Sequence, residues 1–220
     1  MLYDRTVHMY TTASPLRTNA GETAPRGSER RLLLLQVTLR LIAERGIDAV
    51  SHRSVAELAE VPLGSTTYWF GSRQEMLREA LEYFVRTEIE TLRQRLSGVL
   101  GKRLSRRRLV DEFTAFLMPQ LGEERWRTVA QYALLQEAAR QPELEPVCRE
   151  WTDAWLEVLA EVFTALRAPD PELEARMFLA MLDGLLLGQL ASPDKDLEQA
   201  IVRPALKAWL KRVPTKGDRQ

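Results

Sequence analysis

Two histidines, His8 and His52, are the side chains that titrate near neutral pH, and Cys148 is the single thiol. One cysteine makes neither an intramolecular disulfide nor a cysteine cluster. No metal-ligand spacing and no Gly-rich phosphate loop occur, and chain order sets no nucleophile beside a base. The chain therefore reads as a protein that is not an enzyme, with no catalytic residue, metal site or cofactor. The informative side chains are those suited to nucleic acid. Arg53 carries the planar fork that matches guanine O6 and N7, and the hydroxyls of Ser65 and Thr67 can exchange hydrogen bonds with base edges. Tyr68 can reach a phosphate or a thymine methyl, Gly64 lets backbone approach a groove, and Ser51, His52 and Arg73 suit phosphates. Leu63 and Trp69 bracket the same short segment, where Trp69 is better suited to core than to contact.

Positioning these groups requires two short helices and a tight turn. Val55, Ala56 and Ala59 give the first its apolar face, Thr66, Trp69 and Phe70 the second, and Glu60-Val61-Pro62 leaves room only for a turn. This is a helix-turn-helix, with Ser51 as the N-cap of its first helix. Ahead of it a helix over residues 28–45 carries Leu32, Leu35, Leu39 and Ile42 on one face and stops at Gly46. Behind it, Ser72 and Glu75 form a capping box that opens a long helix running to about Gly98.

Over residues 28–84 this order resembles the TetR (tetracycline-repressor-like) family of transcriptional regulators. That family carries glycine at the position of Glu60, tyrosine at Thr67, histidine at Trp69 and lysine at Arg73. In this chain Tyr68 then takes over the tyrosine's contact, while Arg53 matches a position that reaches guanine. The resemblance implies an all-α fold: an N-terminal three-helix DNA-binding domain and a C-terminal helical domain for dimerisation and effector binding. It also implies a homodimer on a palindromic double-stranded operator, released by a small molecule, with repression as the family habit.

Composition sets the remaining bounds. Thirty-one basic and 31 acidic side chains balance to zero formal charge, which argues against indiscriminate coating of nucleic acid. Glu57 and Glu60 beside the turn make a helical adaptor with weak DNA affinity the alternative reading. No run of 18 apolar residues and no signal-peptide pattern is present, so no membrane is expected and the expected compartment is the cytoplasm. Residues 1–27, rich in small and polar types, read as a disordered arm made cationic by Arg17, Arg26, Arg30 and Arg31. The DNA-binding domain is then 28–75, the helical effector and dimer domain 76–213, and 214–220 a disordered tail.

From Arg103 onward every segment has helical period. Helices are expected to stop at Met118-Pro119 and at Gln141-Pro142, and Asp170 caps another. A last helix over 194–213 is broken or kinked at Pro204. Candidate effector contacts are Phe84, Phe113, Phe116, Met118, Trp126, Tyr132, Gln136, Trp151, Trp155, Phe178 and Met181, with Asp183 the lone charge in residues 177–190. That segment is apolar nearly all round and so needs burial on two sides, most simply against a second copy. Gly184, Leu187, Gly188, Ile201, Leu206 and Trp209 are the expected dimer contacts, as apolar positions of the last two helices.

Overall fold

A computed structural model describes residues 26–100 and 105–213, and within them the chain is helical with no strand. The expected tail, and the expected arm up to residue 25, lie outside the described residues. The helices are α1 (Arg26–Arg45), α2 (His52–Leu58), α3 (Leu63–Trp69), α4 (Arg73–Leu100), α5 (Arg106–Leu121), α6 (Arg125–Ala138), α7 (Glu145–Ala165), α8 (Pro171–Ala191) and α9 (Arg203–Arg212). None is long and apolar enough to cross a membrane.

α1 begins at Arg26, so Arg26, Arg30 and Arg31 belong to a helix and not to an arm. Its buried set is Leu34, Leu35, Thr38, Leu39, Leu41 and Ile42, whereas Leu32, expected inside, is exposed. The arc is wide because α1 packs on α2, α4 and α6 at once. Gly46 ends it with φ +81°, the left-handed conformation that a glycine adopts freely.

α4 runs 28 residues, about 42 Å at 1.5 Å per residue, and joins the helix-turn-helix to the helical module. Its inner face, Met76, Leu77, Leu81, Phe84 and Leu92, is continuous with the core of α5–α8.

Pro119 does not end its helix as expected. α5 passes through Pro119 to Leu121; a mid-helix proline leaves the carbonyl four residues back without its donor, and Arg95 Nη1 supplies one to Ala115 O at 3.2 Å. At Pro204 the last helical run does change: residues 197–202 form a wide π turn, and the α-helix proper starts at Arg203 with Pro204 in its first turn, where the missing N–H is harmless. Asp170 does cap α8, accepting from Leu173 N at 3.0 Å.

Candidate nucleic-acid interface and effector module

The joint between α2 and α3 is built from short polar side chains turned onto backbone. Ser51 Oγ accepts from Ser54 N at 3.1 Å while Ser51 N donates to Ser54 Oγ at 2.9 Å, a reciprocal cap on α2. At the far end of α2, Val61 N donates to Ala56 O and Glu60 N to Glu57 O, closing a Schellman motif. Glu60, at the left-handed position of that motif, has φ +53°. Thr66, fully buried, donates to His52 O or Leu63 O and ties the two helices together. Phe70 is buried beneath them.

This packing decides which residues face outward. Ser51, Arg53, Leu63, Gly64, Thr67 and Tyr68 are exposed, Tyr68 at 78 % the most open of the large hydrophobic side chains described, and Ser65 is half-buried. Among the described residues Arg53 has no ion-pair partner. Trp69 is held in place: Tyr68 meets it edge-on at 4.9 Å, and a Cβ on Gly27 would lie 3.3 Å from its ring. It props α3 against the start of α1 and also lines the groove between the two helices. His52 is half-buried with its Nδ1 enclosed and unpartnered, so that nitrogen cannot meet a phosphate.

Arg73, expected to suit a phosphate, is turned onto its own protomer: its Nε donates to Val50 O at 2.9 Å and its Nη2 to Ile47 O at 2.7 Å, with Asp48 3.8 Å away. The guanidinium staples the loop before α2, which commits two of its three nitrogens. The Ser72 cap holds, with Glu75 N donating to Ser72 Oγ, but the Glu75 carboxylate takes Gly71 N at 2.7 Å instead of the Ser72 amide. Arg30 and Leu33 gain a role by position: with Gly64, Ser65 and Tyr68 they line a groove of about 830 Å³ between α1 and α3. Their helical period with Leu34 is the signal that places them there.

In the helical module the aromatic candidates pack into one another. Phe113 and Phe163 flank Phe178 at 4.9 and 5.6 Å, Phe116 meets Trp155 at 5.3 Å, and Phe84 faces Trp151 at 6.4 Å. Met118 and Met181 are half-buried against this cluster. The indole Nε1 of Trp151, of Trp155 and of Trp209 is buried without a hydrogen-bond partner. Two candidates fall outside. Gln136 is exposed, on the solvent side of α6. Trp126 lies under the Arg40 guanidinium at 3.8 Å, so it joins α6 to α1, and Arg127 beside it pairs with Glu88 at 2.5 Å.

Tyr132 and Asp183 do meet. The phenol is placed to donate to Asp183 Oδ1 at 3.3 Å and to its main-chain oxygen at 3.2 Å. Burial pushes the Asp183 carboxyl above the ordinary carboxylate range, a push the Tyr132 hydrogen bond opposes. Burial, then the nearby carboxylate, holds the Tyr132 phenol protonated far above its ordinary value.

On the outside of α8, Leu173, Met177, Ala180, Gly184, Leu187, Gly188 and Ala191 form one exposed stripe. Nothing lies within 4 Å of a Cβ built on either glycine. Ile201 and Trp209 are half-buried, with Trp209 6.0 Å from Phe178 and 4.2 Å beneath Arg212. Leu206 is a correction: it is fully buried inside its own protomer, because α9 turns that face onto the core.

Two family models match the chain. The model described as bacterial regulatory proteins, tetR family, covers residues 34–80, and the tetracyclin repressor-like C-terminal domain covers 104–212. Among curated proteins, the chain is 22 % identical over 190 residues to the HTH-type nicotine-responsive transcriptional repressor HdnoR of Paenarthrobacter nicotinovorans, spanning 84 % of this chain and 96 % of that one. Among solved structures, the multidrug binding protein EbrR complexed with ethidium is 31 % identical, with a TM-score of 0.60 over 82 % of this chain and 98 % of that one. A transcriptional regulator from Rhodococcus sp. Rha1, RHA1_ro04179, is 26 % identical with a TM-score of 0.70, over 83 % and 95 %.

Proposed function

This chain belongs to the TetR family of bacterial regulatory proteins and is a transcriptional regulator, not an enzyme; on that premise we propose that it represses as a homodimer on a palindromic operator and lets go when a small apolar or cationic molecule enters its helical module. The observation that carries the reading is the outer face of α3. Gly64, Thr67 and Tyr68 project from a helix whose inner side is locked by Thr66 and Phe70, next to the unpaired cation of Arg53. A rigid helix with polar and aromatic groups at its surface fits a major groove, where Arg53 reads guanine and Ser51 meets phosphate. Arg30, across the groove from Tyr68, adds a second backbone contact.

The α8 stripe supports the dimer. Leu173, Met177 and Leu187 are 51, 39 and 53 % exposed in one protomer, and the small residues between them allow a second α8 to approach closely. A two-fold axis through this stripe presents two reading helices to half-sites about 34–36 Å apart.

The effector reading rests on Asp183 and the orphaned indoles. A half-buried carboxylate whose neighbour is a neutral phenol suits a cation, and buried indole N–H groups lacking acceptors suit a ligand that carries one. HdnoR responds to nicotine and EbrR is complexed with ethidium, and a nitrogen base or aromatic cation of that kind suits this module. Selection of binding sites from a random duplex pool, followed by footprinting with and without nicotine, a nitrogen base that does not intercalate, tests the proposal. The expected result is a two-fold symmetric site that nicotine releases. A pool that never enriches would reject it in favour of a helical adaptor.

A further inference from the structure

At the end of the molecule remote from α3, α5 and α9 lie side by side and enclose a groove of about 510 Å³ lined by Arg106, Arg107, Asp111, Arg203, Lys207 and Lys211. Some of these charges are structural. Arg106 Nη2 donates to Val213 O at 2.7 Å and fixes the start of α5 to the end of α9. Arg203 bonds Asp111 at 2.6 Å and Glu198 at 2.7 Å, so the one carboxylate of the lining is already engaged. Arg107, Lys207 and Lys211 have no ion-pair partner within 4.0 Å among the described residues. Lys207 and Lys211 stand four residues apart on the same face of α9, a like-charge spacing that disfavours the helix unless something neutralises it. Five cations against one carboxylate in a concave site, on a chain of zero formal charge, focus a positive potential there.

We propose that this groove binds a small polyanion bearing two or more carboxylate or phosphate charges, with Arg107, Lys207 and Lys211 as its contacts. The volume is that of a small-molecule site. Arg95 on α4 is level with Ala115 of α5, and the groove lies beyond it toward the α5 start. It is therefore more than about 30 Å along α4 from the helix-turn-helix, too far to share the phosphates of a duplex seated on α3. The inference does not rest on operator binding.

Calorimetric titration of the full chain with inorganic pyrophosphate and with citrate, at constant ionic strength, tests it. One or both should bind, and the Lys207→Glu/Lys211→Glu double variant should weaken binding at least tenfold, Arg107→Ala about fivefold. Lys195→Glu, outside the groove, should leave it unchanged. The milder Lys207→Gln/Lys211→Gln pair, checked for an unaltered thermal melt, repeats the test should the charge reversal fail to fold. Heats no larger than those of sodium chloride at matched ionic strength, or binding that survives both double variants, would overturn the proposal. So would a loss of DNA affinity in these variants without any anion binding.

Discussion

The helix-turn-helix and the helical module solve the problem of joining helices in opposite ways. Around α2 and α3 the joints are polar: Thr66, Ser51, Ser54, Arg73 and Glu75 all place a side chain on main-chain atoms of a neighbouring segment. In α5–α9 aromatic rings meet ring on ring at many of the joints, and three buried indole N–H groups have no acceptor. Directed hydrogen bonds permit one arrangement, whereas edge-to-face ring contacts are less directional and orphaned donors welcome a newcomer. One half is built to hold a shape and the other to be changed. What connects them is equally specific, since α1 is tied to α4 and α6 by Arg31 to Glu79 at 2.6 Å and by Arg40 on Trp126.

The largest effect should come from the surface proposed to join two copies of the chain. Leu187→Glu puts a charge on the exposed α8 stripe, where a monomer tolerates it and a dimer interface does not. Sedimentation should then give a single 25 kDa species with an unchanged helical spectrum, and operator affinity should fall more than a hundredfold. A variant that stays dimeric places the two-fold axis elsewhere.

Next in size is the staple of the rigid half. Arg73→Ala removes two charged hydrogen bonds to Val50 and Ile47 carbonyls and should cost about 2–3 kcal/mol in denaturant unfolding. Arg73→Lys recovers only part of this, because an ammonium cannot span both carbonyls as the fork does. Were Arg73 a phosphate contact instead, alanine would weaken DNA binding in a salt-dependent way and leave stability untouched.

The same contrast governs how much of the molecule its sequence discloses. The helix-turn-helix is legible because its signals are local: the Ser51 cap, the three-residue turn Glu60-Val61-Pro62, the inward Thr66 and Phe70. Arg73 escapes because its partners are 23 and 26 residues away, and nothing in its own neighbourhood distinguishes a staple from a phosphate contact. In the module, periodicity finds the helices and the aromatic core, but not which helix each face meets. Trp126 turns to Arg40 of α1, Gln136 turns to solvent and Leu206 turns inward, all decided by tertiary packing. Asp183 is legible as an oddity in an apolar run; its phenol partner, 51 residues distant, is not.

The compliant half is tested by Asp183→Asn. If the carboxylate attracts a cation, ethidium affinity should drop about tenfold, roughly 1.4 kcal/mol, with little change for a neutral aromatic. The pH dependence has a definite sign. A carboxyl raised by burial favours the fold while protonated, and that contribution is lost as pH climbs from the ordinary aspartate range through its raised value. The asparagine variant should therefore melt higher than the parent at pH 7.5 and nearly level with it at pH 4.5. An equal offset at both would show that Asp183 is ionised without penalty.

The smallest effect compares the two halves most directly, because each contains the same device. α2 and α7 both end in Schellman motifs whose left-handed residue is not glycine: Glu60 with φ +53° and Arg167 with φ +61°. A side chain there crowds the following carbonyl, and glycine relieves this while giving back some entropy to the unfolded chain. Glu60→Gly and Arg167→Gly should each stabilise by about 0.5–1 kcal/mol, measured by denaturant midpoint. They should part on DNA. Glu60 stands exposed beside the reading helix, where its charge opposes phosphate, so its removal should tighten operator binding a few-fold and more so at low salt. Arg167 closes a turn in the module, and its loss should leave that affinity unchanged. Equal DNA effects from both would mean that stability alone, rather than charge at the turn, sets how firmly the reading helix holds its site.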